Sequence, residues 1–153
     1  MRKVLAIETS CDETSVSIVS NSGETFKIHS NIIASQIEDH SKWGGVVPEL
    51  AARKHLELLP FVLEKALTES KIKIEEIDYI ASTVAPGLVG CLRVGSITAR
   101  SLCMLHSKPF LGIHHLEGHL SSILFSENYP KKSFLTLLAV SYTHLTLPTI
   151  YSV

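Results

Sequence analysis

Several things are scarce in this 153-residue sequence. It has almost no net charge, with 14 Lys+Arg against 15 Asp+Glu. A basic footprint for a polyanion is therefore missing, and any nucleic-acid partner needs another warrant. Cysteine is limited to Cys11, Cys91 and Cys103, an odd and widely spaced set without a CxxC, which excludes a disulfide framework and suits a reducing compartment. No apolar run approaches the roughly 18 residues a membrane span needs. The basic start Met1-Arg2-Lys3 is followed by an apolar stretch that Glu8, Asp12 and Glu13 interrupt, so no signal-peptide core fits. Repeats and low-complexity tracts are absent. With 45% hydrophobic and 19% charged residues, disorder is excluded too. The expectation is one α/β domain, cytoplasmic and without a membrane contact.

The hydrophobic pattern supplies the elements. Val4–Thr9 reads as a buried strand, residues 10–13 as a tight turn, and Thr14–Ser20 as a strand alternating at period two. After the turn Asn21-Ser22-Gly23, Thr25–Ile33 completes an antiparallel meander. Pro48-Glu49 opens a helix that runs to about Ser70, with Leu58, Leu59, Val62, Leu63, Ala66 and Leu67 on its core face. Pro60 inside it predicts a kink or a locally unpaired carbonyl. A charged spacer, Lys71–Asp78, leads to a strand at Tyr79–Val84, a loop at 85–90 and a helix to about His106. Phe110–Ile113 reads as a strand, Leu116–Phe125 as a helix and Phe134–Ala139 as a last strand. A meander followed by alternating helices and strands predicts a mixed sheet with helices packed on it.

Four segments carry possible chemistry. Glu8-Thr9-Ser10-Cys11-Asp12-Glu13-Thr14 joins two strands, where hydroxyls and backbone N–H groups suit a phosphate and adjacent acids suit a metal or a proton; such turns are also commonly rich in these residues. Pro86-Gly87-Leu88-Val89-Gly90 at a strand-to-helix junction allows close approach of an anion, though it lacks GxGxxG and a Walker lysine. In His114-His115-Leu116-Glu117-Gly118-His119, His115 and His119 stand four apart and share a helix face able to grip one metal. Glu117 lies about 200° round the helix from His115, away from the place a zincin-type base occupies. Eight histidines make a chance pair easy, and two ligands are too few for a catalytic site. Asp39-His40 with Gly44-Gly45-Val46-Val47-Pro48-Glu49 either lines a cleft or simply leads into the helix.

In this order, Ile7-Glu8-Thr9-Ser10-Cys11-Asp12-Glu13-Thr14, Gly44-Gly45-Val46-Val47-Pro48-Glu49-Leu50-Ala51, Pro86-Gly87-Leu88-Val89-Gly90 and His114-His115-Leu116-Glu117-Gly118-His119 closely resemble the universal tRNA adenosine threonylcarbamoyltransferase family, formerly called O-sialoglycoprotein endopeptidase. The resemblance covers residues 1 to about 139. It implies the N-terminal lobe of an actin/Hsp70/sugar-kinase (ASKHA) type fold. The implied reaction passes the threonylcarbamoyl group of threonylcarbamoyl-AMP to N6 of adenosine 37 in tRNAs that read codons beginning with A. It further implies His115 and His119 as ligands of a divalent metal, Fe(2+) or zinc. Thr9 and Ser10 would fall in the first phosphate loop of a cleft for nucleotide (ATP or ADP), with Asp12 and Glu13 as the acids of transfer. The implied partners are tRNA, a metal-free paralogue of the same fold and an ATPase subunit.

The likeness stops at Val140, where the family continues with a Ser-Gly-Gly-His-Thr loop and then a C-terminal lobe carrying an aspartate as third metal ligand. Residues 140–153 look like one translated frame of a sequencing-library adapter and are expected to be a non-native tail. The fragment is expected to be inactive alone. The alternatives are a metallopeptidase, the non-catalytic paralogous scaffold, and a sugar or acetate kinase; the last two have no need of the paired histidines.

Overall fold

The computed structural model describes residues 1–23, 25–126 and 136. The strand expected over 134–139, apart from residue 136, and the tail 140–153 lie outside the described residues. Strands β1 (Arg2–Glu8), β2 (Glu13–Ser22) and β3 (Thr25–Ser35) form the antiparallel meander that the turn residues predict. On its other side β1 pairs in parallel with β4 (Tyr79–Ala85), which pairs in parallel with β5 (Phe110–His114). The sheet is therefore mixed, in the order β3-β2-β1-β4-β5.

Helix α2 (Pro48–Ser70), which follows a short α1 (Ile37–Ser41), lies against β2 and β3, and α3 (Val89–His106) lies against β4 and β1. Alternation decides which side of the sheet they cover. Leu5 and Ile7 of β1, with Val16 and Ile18 of β2, point into one layer with Ile80, Leu59, Val62, Ala66, Val94 and Ala99. Leu5, Ile18 and Ile80 are completely buried, each contributing about 1.5–3 kcal/mol. β4 is buried on consecutive residues, Ile80 to Thr83, as a central parallel strand requires. The opposite face presents Ala6, Glu8, Ser15, Ser17, Ala81 and Thr83 to α4 (His115–Ser121).

Three differences from the sequence expectation have physical reasons. The helix expected over Leu116–Phe125 is α4 and then a 3-10 turn, Ser122–Phe125; Gly118 weakens it and the Ser122 hydroxyl bonds back to the His119 carbonyl at 2.7 Å. α1 lies where the hydrophobic pattern predicts no element. Five residues without a side-chain cap leave little sequence signal. Pro60 leaves α2 unbroken and stands on its exposed face, the side on which water satisfies a carbonyl that loses its donor.

The buried stripe of α2 also contains His55, with no solvent exposure. Its Nε2 lies 2.9 Å from the Cys11 carbonyl, which can only accept, so Nε2 carries the proton. Nδ1 then accepts from the Thr14 hydroxyl at 2.7 Å and the Gln36 amide at 3.2 Å. Gln36 Oε1 in turn accepts from His40 Nε2 at 3.1 Å, and His40 Nδ1 accepts from the backbone N–H of Val47 at 3.3 Å. Each named atom has a partner of the right kind. Since Gln36 N–H also donates to the Asp12 carbonyl at 2.9 Å, the chain of bonds fixes the β1–β2 turn from beneath.

Candidate functional site

Parallel pairing brings the C-terminal ends of β1, β4 and β5 to the same side of the sheet, the usual place for ligands in open α/β sheets. Three segments meet there: the β1–β2 turn, the loop between β4 and α3, and α4. The first two join main chain to main chain, the Leu88 N–H donating to the Ser10 carbonyl at 2.8 Å. Glycine permits this approach, because a Cβ at Gly87 would stand 2.6 Å from the Ser10 carbonyl oxygen. Gly87→Ala is therefore expected to cost about 1–3 kcal/mol by overpacking against backbone that cannot rotate away. A lowered urea midpoint checks this, and an unchanged one would show that the turn yields.

Thr9, expected in a phosphate loop, is 1% exposed. Its hydroxyl donates to the Cys91 carbonyl at 2.8 Å and accepts from the Gly95 N–H at 3.2 Å. A Cβ at Gly95 would collide with that oxygen, so the glycine is what lets α3 receive it. Thr9 thus ties the turn to α3, and Ser10, also expected in that loop, is likewise buried at 4% exposure. Ser10 Oγ lies 3.2 Å from Nδ1 of His115.

His115 and His119 come together as their spacing predicts. Their rings are perpendicular with centroids 4.6 Å apart, and the two Nε2 atoms are 3.1 Å apart. Two imidazole nitrogens at metal-bond lengths, with an angle of 90–110° at the ion, are separated by roughly 2.9–3.4 Å. The pair therefore fits a single cation. Among the described residues no group of three His, Cys, Asp or Glu is placed to complete the ligand set. A cavity of about 290 Å³ opens beside the pair, lined among others by Ser15, Ser17, Thr83, Gly118 and Ser122.

Glu8, the last residue of β1, reaches the same point. Its Oε1 accepts from the Ser10 N–H at 2.5 Å, and its Oε2 accepts from the Thr83 hydroxyl and stands 3.5 Å from His115 Nδ1. Asp12 and Glu13 do not line the cavity. Asp12 is half-buried beside Cys11, whose thiol is pushed up to about 11 by burial and by the neighbouring Asp12 carboxylate. That shift makes Cys11 a poor nucleophile at neutral pH. Glu13 opens β2, exposed, on the face that Ser15 and Ser17 share. Glu117 is exposed and also outside the cavity lining, which removes support for a peptidase arrangement.

The model of the TsaD family, tRNA N6-adenosine threonylcarbamoyltransferase, matches residues 27–142. The chain belongs to that family. A tRNA N6-adenosine threonylcarbamoyltransferase of Prochlorococcus marinus (strain MIT 9312) is 98% identical over 138 residues, 90% of this chain and 39% of that protein. The relative so named in strain NATL1A is 58% identical over the same length. The chain thus spans about two fifths of the length of the threonylcarbamoyltransferases it matches. Among solved structures, YeaZ from Pseudomonas aeruginosa superimposes with a TM-score of 0.55 at 18% identity, covering 74% of this chain and 43% of that one. That likeness concerns the fold, the mixed ASKHA-type sheet with packed helices. No helix among the described residues is long and apolar enough to cross a membrane.

Sequence reasoning quoted Glu8 within a motif but gave it no role, and it passed over Thr83. The available signal was an acid at the end of an apolar β1 run, on the face opposite Ile7.

Proposed function

We propose that residues 1–139 are the N-terminal lobe of a longer enzyme that transfers the threonylcarbamoyl group from threonylcarbamoyl-AMP to N6 of adenosine 37, in tRNAs reading codons that begin with A. Residues 140–153 are then a non-native tail. The observation that carries this reading is the His115/His119 pair, set at a cation's bite beside two loops that join at Ser10.

In this reading His115 and His119 hold iron or zinc, and the third ligand comes from the second lobe. When bound, the ion supplies Lewis-acid polarisation of phosphate and carbamoyl oxygens. In the same reading Thr9 and Ser10 belong to the loop for the nucleotide phosphate, which Thr9 holds against α3. Asp12 and Glu13, which do not line the cavity, are in this reading the acids that meet the incoming adenosine. One of them takes the proton from N6 as the amine attacks the carbamoyl carbon, whose bond to the phosphate oxygen breaks so that AMP leaves. A metal-free paralogue and an ATPase subunit complete the cytoplasmic machinery.

The test compares the protein carrying both lobes, with those partners, threonylcarbamoyl-AMP and tRNA, against the 153-residue chain alone. Modified adenosine, read by nucleoside mass spectrometry, is expected from the former and not from the latter. Modification by the chain alone would overturn the lobe assignment. A two-lobed protein that binds its partners but never modifies tRNA would instead indicate the scaffold.

A further inference from the structure

The tautomer of His115 is undetermined by its nearest neighbour. A serine hydroxyl can donate or accept, so Ser10 Oγ at 3.2 Å permits a proton on either ring nitrogen. Only with Nδ1–H does the Nε2 lone pair face His119. The carboxylate of Glu8 breaks the tie, because it accepts and cannot donate. Its Oε2, 3.5 Å from Nδ1, is at the outer limit of a direct bond but close enough for its charge to favour a proton there. Its other contacts fix it in place: the Ser10 N–H holds Oε1 and the Thr83 hydroxyl holds Oε2. Two donors thus hold the two oxygens.

We propose that Glu8 is a positioning residue that sets His115 as the Nδ1–H tautomer, with Thr83 fixing the carboxylate that does so. The inference rests on the reading of His115 and His119 as cation ligands. It deepens that reading: with Nδ1–H turned toward Ser10 and Glu8, the Nε2 lone pair is the one left for the cation. A carboxylate behind a ligating imidazole is also the arrangement that orients the ring and raises its basicity.

The experiment uses the two-lobed protein with ¹⁵N-labelled histidine, metal-free and above neutral pH, so that imidazole nitrogen shifts report the tautomer without any metal. Wild-type His115 is expected as Nδ1–H. Glu8→Gln, which must present an NH₂ either to the Ser10 N–H or to the His115 and Thr83 side, is expected to shift it toward Nε2–H. Thr83→Val is expected to do so in part, and Thr83→Ser to restore it. Titration with Co²⁺ alone is expected to show 10–100-fold weaker binding in Glu8→Gln, a smaller loss in Thr83→Val and recovery in Thr83→Ser, with the altered ligand-field spectrum following the same order. If Glu8→Gln fails to fold, the valine and serine variants decide the matter. An Nε2–H wild type, or a tautomer unmoved in every variant that folds, overturns the proposal. If His115→Ala binds Co²⁺ as the wild type does, the cation reading fails, and the tautomer shifts still decide the role of Glu8.

Discussion

Replacing His115 with alanine in the two-lobed protein is expected to lower tRNA modification more than a hundredfold and to strip the bound cation. Removal of a partner one shell further out already costs 10–100-fold in metal affinity or activity. A lost ligand costs more, and here it also removes the ring that Ser10 and Glu8 contact. His119→Ala should behave alike, because the two Nε2 atoms share one point in space at 3.1 Å. Glu117→Ala should stay close to wild type, since that side chain is exposed and outside the cavity lining. Elemental analysis of the purified variants and the modified-adenosine content of tRNA from complemented cells check all three. Full cation retention in both histidine variants would remove the site from consideration. Peptide cleavage that depends on both His115 and Glu117 would revive the peptidase.

His55→Leu is expected to destabilise the fold by about 3–5 kcal/mol, although leucine suits the spacing of the α2 stripe better than histidine does. Three buried partners would lose their bond at once: the Cys11 carbonyl, the Thr14 hydroxyl and one proton of the Gln36 amide. An orphaned buried polar group costs about 1–3 kcal/mol, and the Thr14 and Gln36 groups recover part of it by turning to other acceptors. The gain from burying a leucine does not offset that. Urea unfolding at pH 8 measures the loss.

The same residue makes the wild-type fold sensitive to acid. Burial holds the His55 imidazole below its ordinary value of 6.5, outweighing the Cys11 carbonyl and the nearby acids that pull the other way. The unfolded chain therefore binds a proton before the folded one does. The stability His55 contributes is present above about pH 6.5 and is lost as pH falls from there toward the lowered folded value, at no more than about 1.4 kcal/mol per pH unit. The leucine variant should lack this component, and a wild-type profile as flat as the variant's would contradict the buried neutral imidazole.

The contrast between these two histidine sites explains what a linear reading could and could not reach. His115 and His119 were legible because their relation is local, one helical turn with a shared face. α2 was legible from Pro48 to Ser70 for the same reason, its period being carried by Leu59, Val62 and Ala66. The meander followed from tight turns between alternating strands. Glu8 was not legible as a site residue, because Thr83 and His115 lie 75 and 107 positions away and only the parallel pairing of β1 with β4 brings them near. His55 was hidden for another reason: it fills a core position of α2, where hydrophobic spacing says nothing about a polar partner 41 positions earlier. Thr9 was read as facing a ligand, and strand alternation turns its side chain inward.

The manner in which the three site segments are fastened differs, and that difference sorts what a cation's size can disturb. The β1–β2 turn is bolted through Thr9 to α3 and through the Ser10 carbonyl to Leu88, whereas α4 meets the turn by side chains. Both imidazoles of the pair stand on the seven-residue α4, so a change in their separation is taken up within that helix. A shift of α4 should then leave the backbone of the β1–β2 turn in place, so that the histidine pair and the joined loops are mechanically separate parts of one site.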